Sequence, residues 1–195
     1  NLPTMPREGV NSVVFDSLRD GSADIAAGLR FSLDLGDDGS FEVIDAVSPN
    51  LNFILADQGS YSIRFRVKDK DGASRDYVRT LLAVNAPPTA TFGLSTTSTV
   101  FEGVTGLTVR FTNPTDPSAL DTAAGFSYSY DLDGDSVFEI ENVSASLQTV
   151  RFPQDGIYTI RGRIHDRDGG FTEYALPVTV QNFAPQIVAF TGTNT

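Results

Sequence analysis

Three carboxylates alternate along Asp131-Leu-Asp-Gly-Asp135, and Glu139 follows four residues later. Calcium takes six to eight oxygens in flexible geometry, and acids at alternate positions of a tight loop can present several at once. Asp131, Asp133 and Asp135 supply that spacing, Gly134 lets the backbone curl, the Val137 carbonyl is within reach, and Glu139 could ligate through water. Acids crowded this closely repel one another, and a cation relieves the repulsion. The plainer reading is a polar turn whose acids are solvated. A near copy, Asp34-Leu-Gly-Asp-Asp-Gly-Ser-Phe-Glu42, has Gly36 in place of the middle acid and keeps Asp34, Asp37 and Asp38. It is the poorer cation loop of the two.

Asp34 and Asp131 lie 97 positions apart, and that shift orders the chain. It sets Leu35 on Leu132, Glu42 on Glu139, Gly59 on Gly156, Tyr61 on Tyr158, Asp69 on Asp166 and Pro88 on Pro185. No gap is needed from Asp34 to Pro88, so two homologous domains in tandem are expected. Asn85-Ala-Pro-Pro88 reads as the link, held extended by its prolines. Its echo, Asn182-Phe-Ala-Pro185, precedes Gln186-Ile-Val-Ala-Phe190, which reads as the first strand of a further repeat. The expected divisions are residues 1–86, 87–184 and 185–195. The chain reads as an excised piece of something larger.

Alternation is the dominant pattern. Leu29, Phe31, Leu33 and Leu35 alternate with polar residues, as do Phe126, Tyr128, Tyr130 and Leu132. Tyr61, Ile63, Phe65 and Val67 alternate with Ser62, Arg64, Arg66 and Lys68, and the run from Tyr158 to His165 does likewise. A period of two marks half-buried strands. Further strands fit 12–15, 53–55, 75–84, 107–111, 149–152 and 172–181, and no window shows helical periodicity. About seven short strands per repeat make a β-sandwich. Asp57-x-Gly-x-Tyr61-x-Ile63 has the spacing of a tyrosine corner, which puts Ile63 and Ile160 at inward positions held by Cys in antibody domains. The fold expected is all-β: two tandem immunoglobulin-like β-sandwich domains.

The chain has 195 residues, 40% of them hydrophobic, and a net charge of −11. The charge argues against nucleic acid and anionic membranes as partners, because phosphate contacts need basic patches. Without cysteine there is neither disulfide nor thiol chemistry. No apolar run approaches the ~20 residues of a membrane-spanning helix.

These features together resemble the PKD (polycystic kidney disease) domain of bacterial surface and secreted proteins. An aromatic strand ends in an acidic turn, Tyr128-Ser-Tyr-Asp-Leu-Asp-Gly-Asp135. Gly156-Ile-Tyr-Thr-Ile160 and Ile164-His-Asp166 follow, then Asn182-Phe-Ala-Pro185. The Trp usual before the turn is Leu33 in one copy and Tyr130 in the other. The resemblance implies calcium near each domain's N-terminus, held by the linker, the loop between the second and third strands, and the Asp after strand F. That implies Asn85, Asp116, Asp121 and Asp166 in the second copy, and Asn1, Asp20, Asp24 and Asp69 in the first. Asp116-Pro-Ser118 stands where the family has Asp-Pro-Asp. Asp69-x-Asp-Gly72 and Asp166-x-Asp-Gly169 also read simply as hairpin turns.

His165 reads as a surface residue at the end of the alternating strand from Tyr158 (strand F of the immunoglobulin-like pattern), with no pocket or orienting group to make it a base. Arg64, Arg66, Arg161 and Arg163 form a basic stripe, read as cross-strand partners of acids; the alternative is a face for acidic glycan or protein. Tyr77 and Tyr174 pack, or stack on sugars. Paired acids for glycoside hydrolysis lack an asymmetric cleft, so no enzymatic activity is expected. The reading is a monomeric, non-enzymatic module of an exported, cell-surface protein. It spaces and presents neighbouring repeats, with calcium stiffening its loops and the angle between repeats. The alternatives are a carbohydrate- or protein-binding adhesion module, or an accessory domain beside a secreted hydrolase.

Overall fold

The structure, a computed structural model, describes residues 5–95, 99–104 and 107–186. Asn1 and residues 187–195, which carry the expected further strand, lie outside the described residues. The first run of elements is β1 (Gly9–Val14), α1 (Ser22–Ala27), β2 (Arg30–Leu35), β3 (Val43–Ala46), β4 (Asn50–Leu55), β5 (Gly59–Lys68) and β6 (Ser74–Ala83). Then come β7 (Thr89–Leu94), β8 (Val100–Phe101), β9 (Leu107–Thr115), α2 (Ala119–Ala124), β10 (Ser127–Asp131), β11 (Ile140–Val143), β12 (Leu147–Val150), β13 (Gly156–His165) and β14 (Phe171–Gln181). The chain separates into two compact units. One takes the described residues up to Pro87 with Asp116–Gly125 and Asp166–Gly170; the other takes the rest.

Each unit is a sandwich of two sheets. In the first, β1 pairs with β4, and a four-stranded sheet runs β3-β2-β5-β6. Val13, Leu51, Phe53 and Leu55 from one sheet meet Phe31, Leu33, Ile63, Phe65 and Leu81 from the other in one apolar cluster. In the second, a three-stranded sheet β12-β9-β7 faces a five-stranded sheet β11-β10-β13-β14-β8. Its core gathers Val109, Phe111, Tyr130, Val150, Ile160, Ile164 and Val178. Ile63 and Ile160 are fully buried, so apolar packing stands where antibody domains carry a disulfide. The registers also repeat: Asp34 faces Arg64 and Asp131 faces Arg161, while Arg66 faces Asp76 and Arg163 faces Glu173.

Both tyrosine corners form. The Tyr61 hydroxyl donates to the Asp57 carbonyl at 2.8 Å, and that of Tyr158 donates to the Gln154 carbonyl at 3.0 Å. Each bond ties a strand to the turn that feeds it. Tyr158→Phe is expected to cost about 1 kcal/mol, the net worth of one hydrogen bond. Urea unfolding of the two proteins measures it, and superimposable curves would refute the assignment.

Three features depart from expectation. Two helices form where none was expected. Each is six residues long, too short to show a period. α2 starts at an N-cap, Ser118, whose hydroxyl accepts from the Asp121 amide at 3.1 Å. The short strands β3, β8 and β11 were also not anticipated. Finally, β2 and β10 are buried on both faces rather than one. Ser32, Asp34, Ser129 and Asp131 are all buried. The serine hydroxyls accept backbone amides from Asp45 and Asn142 at 3.0 Å, which covers the face that alternation assigned to water.

Candidate metal centres

The loop from β10 to β11 is built around Asp131, which is fully buried. Its two carboxylate oxygens accept from the Gly134 and Ser136 amides at 2.7 and 3.0 Å. Asp133 and Asp135 each accept an amide two residues on, and Glu139 reaches back to the Leu132 amide at 2.8 Å. The effect is to bring the buried Asp131 and three exposed acids together: one oxygen from each of Asp131, Asp133, Asp135 and Glu139 lies within 4.8 Å of the others. Gly134 is required here. Its φ is +84°, and a Cβ would lie 2.7 Å from the Thr159 carbonyl oxygen. The donor set is all hard oxygen, which suits calcium.

The first copy closes differently. Asp34 is again buried and caps its own loop, accepting from the Asp38 and Gly39 amides. With Gly36 in place of the middle acid, Arg64 supplies the positive charge instead, its Nη2 2.5 Å from Asp37 Oδ1. Asp34, Asp37 and Asp38 are therefore not brought into a close oxygen group among the described residues. Arg161, the counterpart of Arg64, turns to Glu173 at 3.0 Å and stays 3.9 Å from Asp131.

A second close group lies within the first compact unit: Glu8, Asp57, Asp121 and Asp168. Asn85, Asp116 and Asp166 border it. Asn85 donates from Nδ2 to Asp166 at 2.9 Å, and Asp166 also accepts from the Asp168 and Gly170 amides. Asp116 accepts from the Ser118 amide at 2.7 Å, and Glu8 accepts from the Ala86 amide at 2.8 Å. Gly9 permits the approach of Glu8 to this segment, since a Cβ there would meet Pro117 Cβ at 2.8 Å.

What sets this group apart is what its oxygens lack. Glu8 Oε2, Asn85 Oδ1, Asp116 Oδ2 and both carboxylate oxygens of Asp121 are buried without a hydrogen bond. A buried acceptor left unpaired costs roughly 1–3 kcal/mol, and more when charged. The positive charge at hand is Arg167, whose Nε lies 2.8 Å from Asp121 Oδ1 and 3.6 Å from Asp168, while Nη2 pairs with Asp57. Burial first, and neighbouring acids after it, push the carboxyls of Glu8, Asp116 and Asp121 above the ordinary range. These residues fit a multi-oxygen cation site.

A pH trend follows. A carboxyl raised on folding stabilises the fold below its unfolded value, and that contribution is lost as pH rises through the folded value. In calcium-free buffer the chain is therefore expected to melt higher at pH 5 than at pH 7. With saturating calcium the trend should weaken or reverse, because protons compete with the metal. Thermal melts across that range test it; a metal-free midpoint that rises from pH 5 to 7 would exclude the effect. Asp76 and Glu173 have the opposite sign. Arginine hydrogen bonds hold them below the usual range, so their contribution fades as pH falls.

Of the residues expected from the resemblance, Asp121 joins the group and Asn85, Asp116 and Asp166 border it. Glu8, Asp57, Arg167 and Asp168 were not anticipated as parts of a site. In the sequence Asp57 reads as the start of a tyrosine corner and Asp168 as part of a hairpin turn; Glu8 carries no signal in the repeat. In the first copy, Asp24 pairs with Lys70 at 2.8 Å, Asp69 accepts from the Asp71 and Ala73 amides, and Asp20 accepts from the Gly21 amide. No close oxygen group forms from Asp20, Asp24 and Asp69 among the described residues.

The remaining candidates are structural. Arg64 and Arg66 pair with Asp76, and Arg161 and Arg163 with Glu173, as cross-strand partners. Arg163 also lies 4.0 Å over the Phe138 ring. Tyr174 packs into its core and accepts the Ala90 amide at its hydroxyl; Tyr77 is 43% exposed beneath Arg75. His165 is half-buried rather than on the surface, with Nε2 3.1 Å from Ser129 Oγ. Ser129 is 3% exposed, so that hydroxyl is closed to a substrate.

No family model matches the sequence, and no curated protein matches it. Among solved structures, the chain is similar to fibronectin(III)-like modules of Clostridium thermocellum CbhA. The identity is 14%, with 91% of this chain and 88% of that chain covered, at a TM-score of 0.38. It is also similar to the amphioxus IgVJ-C2 molecule, at 12% identity over 89% of this chain and 98% of that one, TM-score 0.36. For mouse cadherin-23 EC22-24 the identity is 16% over 80% of this chain, TM-score 0.37, and the chain covers 53% of that fragment. The two sandwiches described above make the protein all-β and immunoglobulin-like. No helix among the described residues is long and apolar enough to cross a membrane.

Proposed function

We propose that the chain is a non-catalytic tandem of PKD-like, immunoglobulin-like units from a large exported protein. It spaces and presents neighbouring modules, and calcium stiffens its acidic loops. One observation carries the reading. Glu8 and Asp121 are nearly or fully buried, and both have carboxylate oxygens without hydrogen-bond partners in a group of four converging acids. Proteins retain such costly groups where a ligand satisfies them. Calcium would be held there by Glu8, Asp57, Asp121 and Asp168 with oxygens of Asn85 and Asp116, and in the β10–β11 loop by Asp131, Asp133, Asp135 and Glu139. Bound ions would neutralise the acids and immobilise the segments that carry them.

The test is thermal melting of the whole chain in calcium and in chelator. A ligand selective for the folded state raises its stability, so coincident midpoints would remove the metal from the proposal and leave the sandwiches. A second reading, a module that binds carbohydrate or protein, is favoured by a cleft of about 630 Å³ on the first unit. Phe15, Leu18, Arg19, Arg75 and Tyr77 line it, together with acids. Glycan-array binding that Tyr77→Ala abolishes would favour that reading.

A further inference from the structure

Arg167 sits in the middle of the acidic group, and its placement is at odds with a bound cation. Six carboxylates, those of Glu8, Asp57, Asp116, Asp121, Asp166 and Asp168, form or border the site. Among the described residues the ion pairs to them come from Arg167 alone. Its guanidinium bridges Asp57 and Asp121, two of the four acids that converge. A calcium ion held by those carboxylates needs its oxygens at roughly 2.3–2.6 Å and would stand where the guanidinium now stands. Two cations on the same buried oxygens repel. Yet Arg167 is not locked in place, for its side chain is 37% exposed and has open solvent to enter.

The first copy supplies a comparison. Lys70 is the counterpart of Arg167 under the 97-residue shift and Asp24 that of Asp121, and they pair at 2.8 Å. There Lys70 also pairs with Asp71, and no group of four acids converges on it among the described residues. At Arg167 the acids outnumber it, and Glu8 Oε2 and Asp121 Oδ2 remain unpartnered even with the guanidinium present.

We infer that Arg167 is a built-in cation that holds the site together without metal and is displaced when calcium binds. The inference rests on the calcium reading of the same carboxylates. Arg167 then sets the affinity: the metal must break the Asp57 and Asp121 pairs before it gains their oxygens. The rim loop 166–170 has two states, one pinned by its own arginine and one by the ion.

The test is calorimetric titration of the chain with calcium in an Asp133→Asn background, which silences the β10–β11 loop. Arg167→Gln is expected to tighten calcium binding by roughly 5- to 100-fold, the usual span of coupling between competing ligands. It should also lower the metal-free melting point and leave the calcium-saturated one unchanged. Arg167→Lys, which keeps the charge but loses the fork, should fall between and covers the case in which the glutamine variant does not fold without metal. In the unsubstituted chain, the Arg167 Nε–H resonance should move to a solvent-exchanging position on calcium titration. Unchanged or weaker affinity in Arg167→Gln, or an Nε–H resonance indifferent to saturating calcium, would overturn the displacement while leaving the metal site intact. No calcium heat in any variant would overturn both.

Discussion

Asp121→Asn should erase most of the calcium-induced rise in melting temperature of the first unit, while leaving the metal-free protein no less stable than before. Asp121 is fully buried, has no hydrogen bond to either carboxylate oxygen and an ion pair to only one, and faces Glu8, Asp57 and Asp168. Without metal its charge is a burden, which burial and Asp168 express as a raised pKa. Asparagine removes the charge and keeps the shape. With metal the same charge is the strongest attraction a fully buried ligand can offer. Calcium at 1,000 times its Kd contributes about 4 kcal/mol, or roughly 16–32 °C in a domain of about 100 residues. The substitution should remove most of that shift. Asp133→Asn is the companion, since it disarms only the β10–β11 loop. Melts of both variants with calcium and with chelator separate the centres. A full calcium response in Asp121→Asn would clear that group of any metal role.

Gly162→Phe should destabilise the second unit by about 3 kcal/mol or more, at the upper end of overpacking effects. Gly162 has no left-handed backbone, so space alone decides. A Cβ there would meet Phe92 Cε2 at 2.5 Å and Phe111 Cζ at 2.7 Å. Under the 97-residue shift its counterpart is Phe65, 5% exposed and edge-on to Phe15 at 5.8 Å. The two cores therefore fill one volume by different routes, with a ring from β5 in the first and with Phe92, from β7, in the second. Phe92 lies 4.6 Å from Phe111 and 6.4 Å from Tyr174. Removing Phe92 should rescue part of the loss, so the Gly162→Phe, Phe92→Ala double variant should be more stable than the sum of its parts by about 0.5–3 kcal/mol. Strict additivity in denaturant melts would show that the ring and the glycine do not share that space.

Much of the fold was readable because its signals are local. Period-two alternation from Tyr61 to Val67 specifies a strand and its inward face, and Ile63 is fully buried as that pattern requires. The corner spacing from Asp57 to Tyr61 specifies a hydrogen bond within four residues, and it forms. The loop from Asp131 to Glu139 was legible for the same reason, since its acids converge through bonds to their own amides. In β2 and β10 the alternation specifies only one of the two buried faces. What buries Ser32 and Ser129 comes from Asp45 and Asn142, 13 residues away, on short edge strands with no strong pattern.

The second cluster marks the boundary. Sequence alone determined that the protein is built mainly of strands, rich in acid, with apolar stripes in place of crosslinks. Spacing along a strand or a tight turn dictates which neighbours share a face. Only the tertiary structure decided that Glu8, Asp57, Asp121 and Asp168 share a few ångströms with Arg167 among them. Those residues are up to 160 positions apart, and no local periodicity encodes a meeting that the packing of whole segments brings about.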